Sequence, residues 1–271
     1  MAGSAGALGG TWNFRDVTES TDRAVRAGLL FRSGELSNLD EEGRAELRRL
    51  GITDVADLRS AVEVERHGGG LVPDGVEIHL LPFIETVPSA DGDAPHEHAF
   101  ARLMTEKPDD ESMDHAARRY MAEEYRGFAK SAGGRRAVQR VIALLGAQRP
   151  LLAHCFAGKD RTGFTVGVVL GAAGVDRDAV MADYLASNGA VPQLREQIMA
   201  MIRRRFDGEM PNEMADFTEA RLSDDVLGVR EEYLDAALQT IDAEYGSLAA
   251  YLTAADVTAE DVDKLRAALL P

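Results

Sequence analysis

The first part of the chain alternates short apolar runs with an amphipathic stretch. Runs typical of buried strands occupy residues 29–33, 53–58, 76–83 and 150–155. Between the first two runs, residues 39–50 carry apolar side chains at helical spacing, with Asp40 at the N-cap position and Gly51 just past the end. Strands that alternate with helices predict an α/β fold with a mostly parallel central sheet flanked by helices.

Helical spacing dominates the chain from Thr162 onward. Apolar residues recur three and four positions apart in four segments, residues 176–187, 191–206, 229–245 and 259–270. The stripe of the second segment comprises Val191, Leu194, Ile198, Ile202 and Phe206. We therefore predict a single domain over residues 1–271, in which a helical region follows the α/β body.

Two segments show neither the short apolar runs of strands nor the apolar spacing of helices. Residues 68–70 are three glycines, and residues 86–111 are rich in Pro, Asp, Glu, Gly and His, which predicts a mobile surface loop. His96 and His98 in that loop suggest a metal site, but on a helix they would point about 200° apart. No further ligand stands at a characteristic spacing, so we expect a solvated loop, no metal site and no cofactor.

Composition narrows the class of protein. The 271 residues carry a net charge of −16, which argues against a nucleic-acid binder, because such binding needs clustered Lys and Arg. The single cysteine excludes an intramolecular disulfide framework and a cysteine-rich metal cluster. No signal peptide and no run of about 18 apolar residues is present, so we expect no integral membrane segment and a cytoplasmic location.

The most informative segment, residues 151–163, has the sequence LLAHCFAGKDRTG. An apolar strand leads into Cys155, and an apolar helix starts near Arg161 or Thr162. A strand–loop–helix unit directs successive backbone N–H groups into a concavity at the positive end of the helix dipole, which suits a phosphate or a similar oxyanion. The predicted binding residues are Phe156, Ala157, Gly158, Lys159 and Arg161.

Cys155 and Arg161 suggest a specific chemistry for this loop. The guanidinium of Arg161 can hold two phosphate oxygens in a bidentate fork. The same positive field, together with Lys159, favours the thiolate form of Cys155 near neutral pH. A thiolate beneath a bound phosphate is an in-line nucleophile, so we predict a phosphocysteine intermediate.

Two other interpretations of the loop fit less well. A nucleotide-binding Walker loop needs glycine and Ser/Thr where this chain has Ala153 and Asp160. A purely structural, buried Cys155 would be favoured by Cys-x5-Arg alone. The neighbouring His154, Gly158 and Thr162, in a strand–loop–helix context, favour a functional site.

The loop also resembles that of a known family. HC-x5-RT is similar to the phosphate loop of cysteine-dependent tyrosine and dual-specificity phosphatases, and HCFAGKDRTG resembles the mycobacterial secreted protein tyrosine phosphatase B family. Further similar segments along the chain are WNFRD, LFRS, ITDVADLRS, ADYL and GVREEYL. The resemblance implies a tyrosine-phosphatase-like fold and a broad-specificity hydrolase. It also implies a virulence factor, secreted without a conventional signal peptide.

The resemblance implies roles for the residues that flank the nucleophile. His154 would order the loop and support the thiolate rather than act as a base, and Thr162 would hydrogen-bond the sulfur of Cys155. Many tyrosine phosphatases place the general acid in a Trp-Pro-Asp motif, which is absent because the single tryptophan, Trp12, is followed by Asn13.

In the mycobacterial family the aspartate within the loop is the general acid, which is Asp160 here. Asp57 and Glu85 are second candidates. For Asp57 we favour surface solvation or an ion pair with Arg59, which follows it closely. Glu85 stands where the family has an aspartate after a similar Leu-Leu-Pro-Phe, so it departs from the family's pattern.

Lys159 bears on the substrate. Phosphoinositide phosphatases have a similar lysine in the loop, where it can neutralise a further phosphate of an inositol ring. The hypothesis is therefore that the protein acts on phosphotyrosine in proteins, and also on phosphoserine, phosphothreonine and phosphoinositide head groups. The alternative is that Lys159 only tunes the electrostatics of Cys155.

The family also has a helical lid over its phosphate loop, and we predict that the lid lies within residues 193–245. Arg203, Arg204 and Arg205 form either a cationic patch or a solvated helix face. Two other functions remain alternatives. One is a phosphoprotein-binding module with an inactive site, and the other is a persulfide- or arsenate-handling enzyme with a similar loop.

Overall fold

The computed structural model of the chain describes residues 8–83, 113–205, 222 and 224–271. The predicted strands are confirmed in slightly shorter form, and a short fifth strand joins them. The strands are β1 Arg15–Asp16, β2 Leu30–Ser33, β3 Asp54–Asp57, β4 Glu77–Leu80 and β5 Leu151–His154. Their order in the sheet is β1-β2-β5-β3-β4, and every pairing except β1 with β2 is parallel. The expected mostly parallel sheet is therefore confirmed.

Helices flank this sheet. In the first half of the chain they are α1 Val17–Ser20, α2 Glu41–Arg49, α3 Ala61–His67, α4 Met113–Lys130 and α5 Ala132–Gly146. In the second half they are α6 Asp160–Ala173, α7 Arg177–Ala186, a 3₁₀ turn Ser187–Ala190, α8 Val191–Arg205, α9 Asp224–Leu227, α10 Glu231–Tyr245, α11 Leu248–Ala254 and α12 Ala259–Leu269. None of the described helices is long and apolar enough to cross a membrane.

Most of the helix predictions are confirmed near their expected bounds. The predicted helix over residues 39–50 is α2, and the carboxylate of Asp40 accepts a hydrogen bond from the backbone N–H of Gly43 at 2.7 Å, as an N-cap does. The four predicted C-terminal helices correspond to α7, α8, α10 and α12. Helix α6 begins at Asp160, slightly earlier than expected. The sequence interpretation missed α1, α3, α4 and α5, and it gave no bounds for α9 and α11 within the region that it described as helical.

The sheet order places β5 between β2 and β3, so the segment that follows β5 leaves the carboxyl edge of the sheet between two neighbours. His154 is level with Ser33 of β2 and with Asp57 of β3. In open parallel sheets ligands bind outside this edge. Cys155 follows His154 directly, so the register alone puts the cysteine at the edge where a site is expected.

Buried apolar side chains form three clusters. The largest includes side chains from the sheet, from α5 and α6 and from the C-terminal helices, among them Leu151, Phe164, Leu234 and Leu269. The second contains Trp12, Ala157, Val191 and Leu227 and lies against the loop after β5, while the third fills the opposite side of the sheet behind α2. The predicted loop over residues 86–111, with His96 and His98, lies outside the described residues.

Candidate active site

The loop after β5 has the predicted strand–loop–helix form. Lys159 occupies the N-cap position of α6 and makes no side-chain cap hydrogen bond, and Asp160 begins the helix. Gly158 has φ +69°, and a Cβ built on it would lie 2.0 Å from the carbonyl oxygen of Ser33. Because both the left-handed backbone and this close approach exclude a side chain, only glycine fits here. The turn fixes how the backbone N–H groups before α6 are oriented.

Two polar side chains hold the loop from behind. Nη2 of Arg32 donates to the carbonyl oxygen of Gly158 at 2.8 Å, and Nδ2 of Asn13 donates to the same oxygen at 3.0 Å. Arg32 in turn forms a fully buried ion pair with Asp183, which also binds Arg15 at 3.0 Å. The segments WNFRD, LFRS and ADYL, which are distant in sequence, therefore meet beneath the loop.

Arg161 is oriented by a carboxylate that the sequence interpretation did not identify. Its Nη1 and Nη2 donate to the two oxygens of Glu63 at 2.8 and 2.9 Å, and the Glu63 side chain is almost fully buried. Burial alone would lower the pKa of Arg161, but Glu63 and the nearby Cys155 raise it above its ordinary value. The guanidinium is thus a fixed cation beside the cysteine.

Glu63 is itself held by the start of α3. Its carboxylate accepts from the backbone N–H of Ser60 at 2.8 Å, and its own backbone N–H donates to the Ser60 hydroxyl, which makes a capping box. The sequence signal for this motif, Ser-x-x-Glu after a strand, was visible. Its second partner, Arg161, lies 98 residues away in the sequence and could only be found in the fold.

Cys155 lies at the floor of the site and is only 2% exposed. On the tautomer with a proton on Nδ1, the fully buried His154 donates to the Cys155 carbonyl oxygen at 3.2 Å. Burial lowers the pKa of His154, despite Asp57 nearby, so the ring is neutral at physiological pH. The hydroxyl of Thr162 is buried and has no hydrogen-bond partner among the described residues, so its expected bond to the Cys155 sulfur is not formed in this structure.

Asp57, a second candidate for the general acid, takes part in a buried ion pair. Its carboxylate is 2.7 Å from Nη2 of Arg59 and 3.6 Å from Nε2 of His154. Burial would raise the pKa of Asp57, but the ion pair with Arg59 holds it below its ordinary value, and His154 adds to this only when its ring is protonated. The ion pair with Arg59 is as expected, whereas the expected surface location is not, because Asp57 is 1% exposed. Glu85 lies outside the described residues.

Asp160 lies at the opening of the site, with its side chain 22% exposed. Its Oδ1 accepts a hydrogen bond from the Tyr125 hydroxyl at 3.1 Å, and its Oδ2 is 3.5 Å from the ammonium of Lys159. Helix α4 places a further carboxylate, Glu124, close to Asp160 and Arg161. Burial raises the pKa of Glu124, against a hydrogen bond from Tyr120, and the negative charge of Asp160 raises it further. The sequence interpretation identified neither Tyr125 nor Glu124, because no motif links α4 to the loop.

Lys159 does not project into an open pocket. Its ammonium donates to the carbonyl oxygens of Val226 at 3.3 Å and of Gly228 at 3.1 Å, and its side chain is 10% exposed. The ammonium therefore joins the loop to the segment at the end of α9.

Apolar side chains of α8 and α9 cover the same loop. Phe156 and Ala157 lie in the second cluster with Val191, Leu194, Met199, Leu222, Val226 and Leu227. Trp12 contacts Phe156 edge to face, with ring centroids 5.9 Å apart. Helix α10, although within the predicted lid region, belongs to the main core, since its Tyr233 and Leu234 are fully buried there.

The whole chain is similar to known phosphatases. A sequence model of the tyrosine phosphatase family matches residues 7–271. The triple specificity protein phosphatase PtpB of Mycobacterium tuberculosis is 57% identical over 271 residues, which cover 97% of this chain and 98% of the relative. A putative tyrosine-protein phosphatase of Cupriavidus necator is 32% identical over 90% of this chain and 79% of the relative. A tyrosine-protein phosphatase of Nostoc commune is 25% identical over 91% of this chain and 76% of the relative.

We predict that Glu63→Gln lowers kcat/KM on 4-nitrophenyl phosphate by about one to two orders of magnitude, because a misplaced guanidinium no longer matches the phosphate oxygens. The matched control is Glu65→Gln on the exposed face of the same helix, which should leave kcat/KM unchanged. Since the substitution also removes a competing negative charge, an unchanged or higher kcat/KM would show that Glu63 does not act by orienting Arg161.

Proposed function

The chain belongs to the tyrosine phosphatase family and is a protein-tyrosine phosphatase, and from that premise we propose that residues 155–161 form its phosphate-binding loop. In this proposal Cys155 is the nucleophile, Arg161 binds the phosphate and Asp160 is the general acid. Backbone N–H groups of residues 156–161 complete the cradle. The supporting residues are His154, which lies behind the loop, and Thr162.

The observation that carries the proposal is the geometry around Cys155. The cysteine lies at the carboxyl edge of a parallel sheet and at the N-terminal end of α6. Beside it, the guanidinium of Arg161 is locked in a bidentate pair with Glu63. A dianion at this point would meet a helix N-terminus, a fixed cation and a sulfur nucleophile together.

The proposed reaction has two steps. The Cys155 thiolate attacks phosphorus, the bond between phosphorus and the leaving oxygen breaks, and Asp160 transfers its proton to that oxygen. Water then attacks the phosphocysteine, Asp160 accepts a proton from the water, and the sulfur–phosphorus bond breaks to release inorganic phosphate. Arg161 and the backbone N–H groups stabilise the equatorial oxygens in both transition states. His154 is neutral and buried behind the loop, so we assign it no proton transfer.

We propose that the substrates include phosphotyrosine, phosphoserine and phosphothreonine in proteins, as well as phosphoinositides. The relative from M. tuberculosis is named a triple specificity phosphatase, which supports a broad range of substrates, and Lys159 supports an additional anionic group on the substrate. The cellular location stays a prediction, which fractionation of the producing cells into cytoplasm and medium would decide.

We also propose that residues 1–271 form one phosphatase domain and that α8 and α9 serve as its lid. We call α8, α9 and Gly228, which follows α9, the covering segment. The burial of Cys155 supports the lid, because substrate cannot reach the sulfur until the covering segment moves. Lys159 supports it as well, since its ammonium is bound to carbonyl oxygens of that segment. An incoming anion would compete for the ammonium, and a charged acceptor binds more strongly than a neutral carbonyl.

We expect Cys155→Ser to lose phosphatase turnover by at least about three orders of magnitude, because a serine hydroxyl is a weak nucleophile without an adjacent base. The measurement is release of inorganic phosphate from a phosphotyrosine peptide, with peptide binding as the check on folding. Normal turnover by the serine variant would exclude Cys155 as the nucleophile. Peptide binding without hydrolysis by the unmodified protein would instead support a binding module.

Asp160→Asn should reduce kcat in proportion to how much the leaving group needs a proton. With phenyl phosphate, whose leaving group is a strong base, we expect a loss of about 10² to 10³, and with 4-nitrophenyl phosphate a much smaller loss. The matched control is Asp178→Asn on the exposed start of α7. Equal losses with both esters would show that Asp160 is not the proton donor.

Lys159→Met should release the covering segment and make Cys155 more accessible. The measurement is the rate at which iodoacetamide alkylates Cys155, recorded at increasing pH until the rate no longer rises. At this plateau the thiol is fully ionised, so the rate depends only on how accessible the sulfur is. Loss of two hydrogen bonds of about 1 kcal/mol each should raise the plateau rate by up to about thirtyfold. Lys130→Met, at an exposed pair with Glu244, is the control of equal charge. An unchanged or lower plateau rate would leave Lys159 with a purely electrostatic role.

A further inference from the structure

Two buried tyrosines lead to the carboxylate of Asp160. The hydroxyl of Tyr184 donates to the hydroxyl of Tyr125 at 2.7 Å, and the hydroxyl of Tyr125 donates to Oδ1 of Asp160 at 3.1 Å. Both tyrosines are at most 1% exposed. We infer that Tyr125 is a positioning residue for the general acid and that Tyr184 fixes the direction of the Tyr125 hydroxyl. The inference rests on the proposed role of Asp160.

The order of donors follows from counting hydrogens. Each phenol has one O–H, and Tyr184 uses its own on the oxygen of Tyr125. Tyr125 then has its hydrogen free for Asp160. In the acid form that the proposed mechanism requires, Oδ1 accepts this bond and the proton to be transferred is on Oδ2, the oxygen that also lies 3.5 Å from the ammonium of Lys159. The pair of tyrosines therefore selects which oxygen delivers the proton.

The packing around the two rings keeps this chain fixed. The Tyr125 ring lies 5.1 Å from the ring of Phe128, 6.1 Å from that of Tyr184 and 5.9 Å from that of Tyr233. Burial raises the pKa of both Tyr125 and Tyr184 well above the ordinary value, and Asp160 raises both further. Both phenols therefore keep their hydrogens throughout the pH range in which the enzyme works, and the hydrogen bonds persist.

This arrangement favours the transition state over the ground state. As Asp160 gives up its proton, negative charge develops on the carboxylate, and a hydrogen bond donated to an ionised acceptor is stronger than one donated to a neutral acceptor. An interaction that strengthens along the reaction lowers the barrier. The hydrogen bond lowers the barrier only for substrates whose leaving oxygen needs a proton. The role of Tyr125 can therefore be measured by comparing substrates that differ in the basicity of the leaving group.

Other charged groups also face Asp160, and the tyrosine substitutions leave them in place. Lys159 lies 3.5 Å away, Arg161 follows in the helix, and Glu124 approaches from α4. The N-terminus of α6 adds a positive partial charge. A Tyr→Phe change removes one hydroxyl group and leaves every charged group around Asp160 unchanged. Its effect can therefore be assigned to the lost hydrogen bond.

The test compares Tyr125→Phe, Tyr184→Phe and the double variant on phenyl phosphate and 4-nitrophenyl phosphate. We expect Tyr125→Phe to lower kcat on phenyl phosphate about tenfold and on 4-nitrophenyl phosphate less than about twofold. Tyr184→Phe should show the same pattern at about threefold. The double variant should be no slower than Tyr125→Phe, because Tyr184 acts through Tyr125.

The control is Tyr251→Phe, since Tyr251 is also buried, lies against Phe164 of α6 and makes no hydrogen bond to the described residues. Tyr251→Phe should leave kcat unchanged on both phenyl phosphate and 4-nitrophenyl phosphate. An equal loss on both esters with Tyr125→Phe would show a structural role only and would overturn the inference, as would no loss on either.

The same experiment separates failure of this inference from failure of the proposed function. If Asp160→Asn shows no leaving-group dependence, the assignment of Asp160 as the acid fails. If Asp160→Asn shows it and Tyr125→Phe does not, only the positioning role fails. Added to Asp160→Asn, the Tyr125→Phe change should have no further effect on phenyl phosphate, and a further tenfold loss would also overturn the inference.

Discussion

A buried aspartate, Asp183, holds two arginines beneath the proposed phosphate-binding loop, and the shape of the loop depends on it. Burial would raise the pKa of Asp183, but Arg32 and Arg15 keep it below the ordinary value, so the carboxylate stays charged. Buried ion pairs of this kind contribute little net stability, because the cost of desolvating the charges offsets their attraction. What the ion pair provides is position. Arg32 is fixed so that it can donate to the carbonyl oxygen of Gly158. This carbonyl group has to point towards Arg32, beneath the loop, so that the backbone N–H groups of the loop can point into the concavity above it.

The same principle applies to Arg161 and Asp160, the side chains proposed to act in catalysis, since each is held by a residue from another element. Arg161 is oriented by Glu63 of α3, and Asp160 by Tyr125 of α4. Two adjacent residues of α7 support the site. Asp183 holds the arginines beneath the loop, and Tyr184 donates a hydrogen bond to Tyr125, which in turn contacts Asp160. The candidate site is therefore held by α3, α4 and α7, and in the proposed lid mechanism the contacts that break are those of Lys159 with Val226 and Gly228.

The sequence predicts those parts of the protein whose signal is local. The strands, the C-terminal helices and the Cys-x5-Arg loop are visible because each depends on residues a few positions apart. Glu63 shows the limit of this kind of evidence, since its capping box is local but its bond to Arg161 spans 98 residues. Asp57 shows another limit, because the nearby Arg59 predicts an ion pair but not its burial. Amphipathic spacing also cannot distinguish a lid helix from a core helix, and α10 belongs to the core.

Charge pairing at the proposed phosphate-binding loop bears on how a protein with a net charge of −16 would receive a dianion. Each of three cations at the loop has a partner, which is Glu63 for Arg161, Asp183 for Arg32, and the carbonyl oxygens of Val226 and Gly228 for Lys159. Nη1 of Arg161 donates to both Glu63 and the carbonyl oxygen of Leu58, so Arg161 can keep Glu63 and still offer Nε–H and the second N–H of Nη2 to a ligand. Arg32 is fully buried and stays in place. Lys159 differs, because two of its acceptors are neutral carbonyls of the covering segment. A phosphate dianion is a stronger acceptor than either carbonyl, so under the proposed lid mechanism its arrival would favour the exchange of these contacts.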